Sequence, residues 1–149
     1  MSTSVFKQQK LNLSELSFGQ HGQMSVILRL IKSYFLYKGF LSQSEEQVLL
    51  KVLCLNIKHF LSLSQGQKFL AYEKNTYSYY EEKSPKIANC KEVLLNAYVC
   101  QVLLTKEYEK VLQKDDLGLK KLIEQIIIES KECENIINQQ IAVKSCDFF

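Results

Sequence analysis

Apolar side chains recur at intervals of three and four residues along most of the chain, which is the period of an amphipathic helix. The first such stretch predicts a helix from about residue 20 to residue 37, ending before Lys38 and Gly39, a usual C-terminal signal. Its apolar stripe, which we expect to face the core, consists of Met24, Ile27, Leu28, Ile31 and Phe35.

A second helix is predicted to begin after Ser42, which forms a capping-box pattern with Glu45, and to continue to about Tyr72. Its polar residues form one narrow stripe on a helical wheel: Gln47, Lys51, Cys54, Lys58, Ser62 and Gln65. Nearly all other positions are apolar. We therefore expect this helix to be buried around most of its circumference, with Cys54 on the exposed side.

Two further helices follow in the second half of the chain. The third is predicted from Asn89, a suitable N-cap, to about Lys114. Asp115 and Asp116 then favour the start of a fourth helix, where acidic groups are stabilised by the helix dipole. Its predicted core stripe is Leu119, Leu122, Ile126, Ser130, Cys133 and Ile137. Ile128 lies almost opposite that stripe, which hints at a subunit contact.

The lengths of the connections predict how the helices are arranged. The first and second helices are joined by about five residues, as are the third and fourth at most, so each pair should be an antiparallel hairpin. Residues 73–89 form a long crossover, and seventeen extended residues can span about 56 Å, enough to run the length of the bundle. We expect its tyrosines to pack against the bundle, the alternative being a ligand-binding cluster: Tyr72, Tyr77, Tyr79 and Tyr80.

The composition agrees with an all-α fold. Only 5 glycines and 1 proline occur in 149 residues, too few for a turn-rich β protein. The length suits a single domain spanning residues 1–149, with tails at about 1–14 and 143–149. The net charge of +3 is mild and Arg29 is the only arginine, so we expect no nucleic-acid partner.

The cysteines and the apolar stretches bear on where the protein resides. The chain has 5 cysteines without a CxxC pair, and its first ten residues lack a signal-peptide core, which predicts reduced thiols in a cytoplasmic protein. Lys51 and Lys58 interrupt the longest apolar region, so we expect no membrane span.

Two stretches are similar to ferritins: "YFLYKGF" (34–40) resembles the end of a ferritin first helix, and "EYEKVLQKDDLGLKKLIEQIIIESKECENII" (107–137) resembles the third-helix end, turn and fourth helix. Two hairpins joined by one long crossover is also the ferritin-like topology. The resemblance covers residues 15–142 and implies a ferritin-like four-helix bundle.

In ferritins a di-iron ferroxidase centre is built from inward-facing carboxylates and a histidine in a Glu-x-x-His motif. The resemblance places that histidine at His59 and its glutamate partner at Asn56. The first-helix glutamate falls near His21 or Gln23, and the third-helix one near Ala97. The fourth-helix pair falls on Glu129 and Ser130, followed by Glu132 and Glu134.

The resemblance therefore implies a degraded centre, with Asn56, Ala97 and Ser130 in place of ligands. A weak single-metal site for iron would use His59 and Glu129, with His21 and Glu132 as further candidates. The alternative is that His59 is a histidine flanking the core, about 100° from the centre of the apolar face, and that Glu129 lies at the rim. Asn56 is expected to be buried and to need a partner such as Ser130 or Gln101.

These residues predict a ferritin-like protein without a working ferroxidase centre, and we assign no catalytic residue. Weak iron binding or a structural role in an iron-storage-type homo-oligomer would remain. The alternative is a non-catalytic helical module that binds another protein. A reactive Cys54 thiol is a further, weaker hypothesis, since it lies near Lys51 and Lys58.

Overall fold

A computed structural model of the chain describes residues 14–67, 90–114 and 119–146. Its four long helices are α1 (Gln23–Tyr37), α2 (Gln43–Gln67), α3 (Cys90–Lys114) and α4 (Lys120–Cys146). Residues 14–18 form one further helical turn, and Lys38–Phe40 form a short 3-10 helix. The described residues contain no strand, which confirms the prediction of an all-α protein with four packed helices. The predicted crossover with its tyrosines and the Asp115–Asp116 cap lie outside the described residues.

The four helices pack as a closed ring in the order α1, α2, α4 and α3. Contacts between side chains give their directions: Gln23–Asn56 and Tyr34–Glu46 join α1 to α2, whereas Gln23–Tyr108 and Arg29–Cys100 join α1 to α3. In both sets the residue numbers increase along one helix while they decrease along the other. Both neighbours therefore run antiparallel to α1, and α2 and α3 run parallel to each other.

The capping box predicted at the start of α2 is confirmed. The Ser42 hydroxyl accepts a hydrogen bond from the Glu45 backbone N–H (3.3 Å), and the Ser42 backbone N–H donates to a Glu45 carboxylate oxygen (2.9 Å). Next to it, Glu46 accepts from the Tyr34 hydroxyl at 2.9 Å. These contacts satisfy N-terminal donors of α2 and fix its position against the end of α1.

The turn before α1 requires glycine at two positions. A Cβ atom on Gly19 would lie 2.5 Å from the Glu15 carbonyl oxygen, and one on Gly22 would lie 2.7 Å from the same oxygen. Residues 14–18 therefore fold back closely onto the start of α1. This close turn sets Gln23 as the first residue of α1 and directs its side chain into the bundle, where it is fully buried.

The core side of α1 differs from the predicted stripe. The buried residues of α1 are Gln23, Val26, Ile27, Leu30 and Ser33. Of the predicted stripe only Ile27 is buried; three members are half-buried and Phe35 is 73% exposed. The helix has apolar residues on two sides, and the sequence period alone does not say which side meets its neighbours.

Four of the six residues in the predicted core stripe of the fourth helix are buried, and Leu119 and Leu122 are half-buried. Ile126, Ser130, Cys133 and Ile137 are buried, and Ile128 on the opposite side is 54% exposed. On α2, Cys54 is accessible to solvent as predicted. The expectation that most of the helix circumference is buried is wrong, because Leu50, Ile57 and Leu61 are 38%, 39% and 57% exposed. Among the described residues, no helix combines the length and apolar character needed to cross a membrane.

Candidate functional site

A continuous network of buried side chains joins three of the four helices at the centre of the bundle. Tyr108 on α3 donates its hydroxyl to the Gln23 side-chain oxygen on α1 (2.5 Å). The Gln23 amide nitrogen donates to Asn56 Oδ1 on α2 (2.5 Å), and Asn56 Nδ2 donates to Gln101 Oε1 on α3 (2.9 Å). We call these four residues the amide network. All four are fully buried at 0% exposure, so these hydrogen bonds replace water for groups that would otherwise be costly to bury.

The helices hold the amide network in register. Gln101 and Tyr108 are seven residues, or about two turns, apart on α3 and so share one face. Asn56 also donates to the Val52 carbonyl one turn earlier on α2 (2.8 Å), which fixes its side-chain orientation. The expected buried position of Asn56 is confirmed, and of its two expected partners the structure shows Gln101.

A second polar contact joins α2 to α4 beside the amide network. His59 Nε2 lies 2.8 Å from one carboxylate oxygen of Glu129, and Lys58 Nζ lies 2.8 Å from the other. The structure thus brings together two of the predicted metal candidates, His59 and Glu129. Glu129 lies at the rim as expected, 13% exposed, but the flank position expected for His59 is wrong, because its side chain is only 1% exposed. It is buried because it faces α4, where its ring meets Glu129.

Burial sets the charge of His59, and hydrogen bonding sets that of Glu129. Burial lowers the pKa of His59 despite the opposing hydrogen bond from Glu129. The Lys58 hydrogen bond is the main cause that lowers the pKa of Glu129. Near neutral pH the pair is therefore a neutral imidazole that donates its Nε2 proton to an ionised carboxylate.

We expect the free energy of unfolding to fall by about 1 kcal/mol between about pH 7.5 and about pH 5.5 because of His59. In the folded protein its lowered pKa keeps the imidazole neutral, whereas in the unfolded chain it takes up a proton below about pH 6.5. The unfolded state then binds more protons, so stability is lost as the pH falls. Urea unfolding at several pH values measures this slope.

His59→Gln should flatten this slope, while His21→Gln should leave it in place. His21 is half-buried in the turn before α1 and serves as the control. The lowered pKa of Glu129, the carboxylate that contacts His59, keeps it ionised across this range, so it should not contribute a slope of its own. Equal slopes in wild type and His59→Gln would contradict the assignment.

Three other residues predicted for the site lie on α3 and α4. Glu132 is exposed on α4, and Ala97 is buried on α3 without a polar side chain. Ser130 is fully buried beside Glu129. Within residues 14–67, 90–114 and 119–146, no three His, Cys, Asp or Glu side chains form a group that could hold a metal ion.

The donor chemistry of the interior does not fit a pair of iron ions. The side-chain oxygens of Gln23, Asn56 and Gln101 are neutral, and each already accepts a hydrogen bond within the amide network. Hard cations such as iron prefer anionic carboxylate oxygens. The carboxylate of Glu129, the predicted ligand beside His59, has both oxygens engaged, one by His59 and one by Lys58.

Two thiols lie in the core, and that of Cys133 is a poor nucleophile. Burial, reinforced by Glu132, raises the pKa of the Cys133 thiol to about 12, so it stays protonated at neutral pH. Cys100 is buried on α3, where its sulfur lies 2.9 Å from Arg29 Nη1. That contact ties α3 to α1.

Sequence reasoning missed one member of the amide network, Tyr108, and left Gln23 as one of two choices for the first helix. On α3, Tyr108 occupies one of the regularly spaced apolar positions. The sequence pattern therefore does not distinguish it from an ordinary aromatic core residue. Its hydroxyl could be matched to Gln23 only once α1 and α3 were placed side by side.

Compared with known proteins, the chain matches no family model, no curated protein and no solved structure.

Proposed function

We propose that this chain is a ferritin-like bundle whose di-iron centre has been replaced by the amide network, and that it serves as a non-catalytic structural subunit. The helix directions support the topology, because α2 and α3 run parallel to each other and antiparallel to both α1 and α4. The contacts Lys58–Glu129 and Ser44–Gln140 give the direction of α2 against α4. Thr105–Glu134 and Glu109–Lys131 give that of α3 against α4. The proposal includes no stoichiometric iron oxidation, because His59 and both Glu129 oxygens are already engaged with each other and with Lys58.

The amide network is the observation that carries this proposal. Its three amides come from α1, α2 and α3. Asn56 and Gln23 stand at or near positions where the resemblance places inward-facing carboxylates, and Gln101 lies one turn after Ala97, the third such position. A glutamate at position 56 would bring negative charge to this level, whereas asparagine brings a neutral donor and acceptor that its neighbours satisfy. The interior is thus organised by hydrogen bonds that need no metal.

Ferrous iron added anaerobically to the purified protein, followed by air, tests the proposal. We expect no protein-dependent gain in absorbance in the near-ultraviolet ferric–oxo band above that of buffer, because the amides supply no anionic bridging ligand. His59→Ala should give the same trace as wild type.

Oxidation of one or two irons per chain at a rate well above buffer, lost in His59→Ala, would contradict the proposal. Exposed Glu132→Ala provides a matched control, since it removes a carboxylate outside the interior. An oxidation signal that only Glu132→Ala removed would place any iron chemistry on the surface and leave the interior assignment intact.

A second candidate function is a helical module that binds a different protein. The side chains at the end of α1 favour it, since Phe35 is 73% and Phe40 is 70% exposed. A protein that stays a single chain by light scattering at all concentrations would support this candidate over a structural subunit.

A further inference from the structure

Three buried side chains in the bundle interior each keep one polar atom that has no hydrogen-bond partner among the described residues. The atoms are His59 Nδ1 on α2, Gln101 Nε2 on α3 and Ser130 Oγ on α4. The exposed fraction is 1% for His59 and 0% for the other two, so bulk water does not reach these atoms. Buried polar atoms of folded proteins are nearly always hydrogen-bonded, to the protein or to an ordered water molecule. We call these three atoms the polar trio.

Contacts between neighbouring residues place the polar trio around one turn of α2. Gln101 Nε2 is bonded to the same carbon atom as Oε1, which accepts a hydrogen bond from Asn56. His59 follows Asn56 by three residues, so their side chains lie one turn apart on one face of α2. Ser130 directly follows Glu129, the residue that contacts the His59 ring.

The register of α2 against α4 also brings Ser130 to this turn. Lys58 of α2 contacts Glu129 of the antiparallel helix α4 at 2.8 Å. The residue after Glu129 is therefore level with the residue before Lys58, which lies between Asn56 and His59. Ser130 leaves space at this level, because it is smaller than the other buried members of the α4 stripe: Ile126, Cys133 and Ile137.

The hydrogen bonds already made decide which atoms of the polar trio donate and which accept. Asn56 Nδ2 donates to the Val52 carbonyl as well as to Gln101, so the Gln101 atom that faces it is the oxygen and the remaining atom is an N–H donor. His59 donates its Nε2 proton to an ionised carboxylate, which leaves a lone pair on Nδ1 as acceptor. The serine hydroxyl can do either.

These properties select a small neutral ligand that both donates and accepts hydrogen bonds. A cation would face the Gln101 N–H group, whereas an anion would face the His59 lone pair and the nearby Glu129 carboxylate. A water molecule accepts from Gln101 and Ser130 and donates to His59. It thereby makes about three hydrogen bonds, the usual number for a buried water molecule.

We propose that the polar trio binds one ordered water molecule in the interior of the bundle. The amide network joins α1, α2 and α3, and the water molecule connects α4 to it through Ser130. One set of hydrogen bonds then links all four helices. This site goes beyond the function proposed above and does not depend on it, since it concerns only interior atoms that a structural subunit and a binding module would share.

A crystal structure at near-atomic resolution tests the proposal on the unmodified protein. We expect one peak of electron density with the scattering of an oxygen atom, about 2.5–3.2 Å from each atom of the polar trio. Data collected at the iron absorption edge should show no anomalous signal there. A metal ion at this position would overturn the proposal. So would side chains whose trio atoms bond directly to other protein atoms, with no water molecule between them.

Magnetic relaxation dispersion of the water signal gives a second measurement, because it counts long-lived buried water molecules in solution. We expect Ser130→Val to lose one such molecule relative to wild type, since its methyl groups fill the site and the hydroxyl is gone. Ser33→Val is the matched control: Ser33 is a buried serine, 5% exposed, but it lies ten residues after Gln23, about 15 Å along α1. It should keep the wild-type count.

Equal counts in wild type and Ser130→Val would overturn the proposal, as would the same loss in Ser33→Val. Far-UV circular dichroism establishes that each variant remains helical. The crystal structure of the unmodified protein decides the question even where a valine variant fails to fold.

Discussion

Replacing Asn56 with alanine will lower the free energy of unfolding by about 4 kcal/mol, since it leaves two buried groups without partners at about 1–3 kcal/mol each. The Gln23 amide nitrogen loses its acceptor, and the Gln101 oxygen loses its donor. Both side chains are at 0% exposure, so water cannot easily reach them. Chemical denaturation with urea measures the change.

Ser130→Ala is the matched control for this prediction. Ser130 is as deeply buried as Asn56 and lies on the facing helix α4, but its hydroxyl has no hydrogen-bond partner among the described residues. Removing it should change the free energy of unfolding by less than about 1 kcal/mol. Comparable destabilisation by the two substitutions would mean that the loss does not come from the hydrogen bonds of the amide network, since Ser130 makes none of them.

Replacing Tyr108 with alanine should cost about 4 kcal/mol, because it opens a cavity in the middle of the core and removes a hydrogen bond. Tyr108 is among the largest fully buried side chains, at 0% exposure. Burial also raises the pKa of its phenol far above the usual value, so it remains a donor at every pH where the protein is folded.

Tyr108→Phe separates packing from hydrogen bonding. It keeps the ring and removes only the hydroxyl that donates to Gln23, so we expect a loss of about 1.5 kcal/mol. A double-mutant cycle with Gln23→Leu should show that the two losses are not additive, since both remove the same contact. Additive losses would mean that the hydroxyl stabilises the fold by another route.

The amide network offers a reason for the precise register of this bundle. Its hydrogen bonds form only when α1, α2 and α3 are aligned to within a fraction of a turn, whereas aliphatic side chains tolerate small shifts. Polar layers in helical assemblies can fix register in this way. In this protein we expect substitutions in the layer to loosen the alignment of α1 as well as to lower stability.

Local chemistry made several features predictable from the sequence. The capping box of Ser42 and Glu45 depends on residues three apart, and the core stripe of α4 depends on its own period, so neither needed a partner helix. The burial of Asn56 followed from its place among apolar neighbours on α2. In each case the determining interactions lie within one helix.

Other features were decided by contacts between helices. The periodicity of α1 fits two apolar sides, and only its position between α2 and α3 decides that Val26 and Leu30 are buried while Phe35 is exposed. How deeply His59 is buried likewise depends on how closely α4 approaches α2. A helical wheel describes one helix alone and gives no such distance.

The sequence by itself determined the helices, their short connections and the presence of polar residues at core positions, because helix period and capping act within a few residues. The tertiary structure decided which polar residues meet: Gln23 with Asn56, and His59 with Glu129. Those pairs are 33 and 70 residues apart along the chain. Hydrogen bonds over such separations follow from the packing of whole helices, and this packing turns isolated polar residues into one buried network.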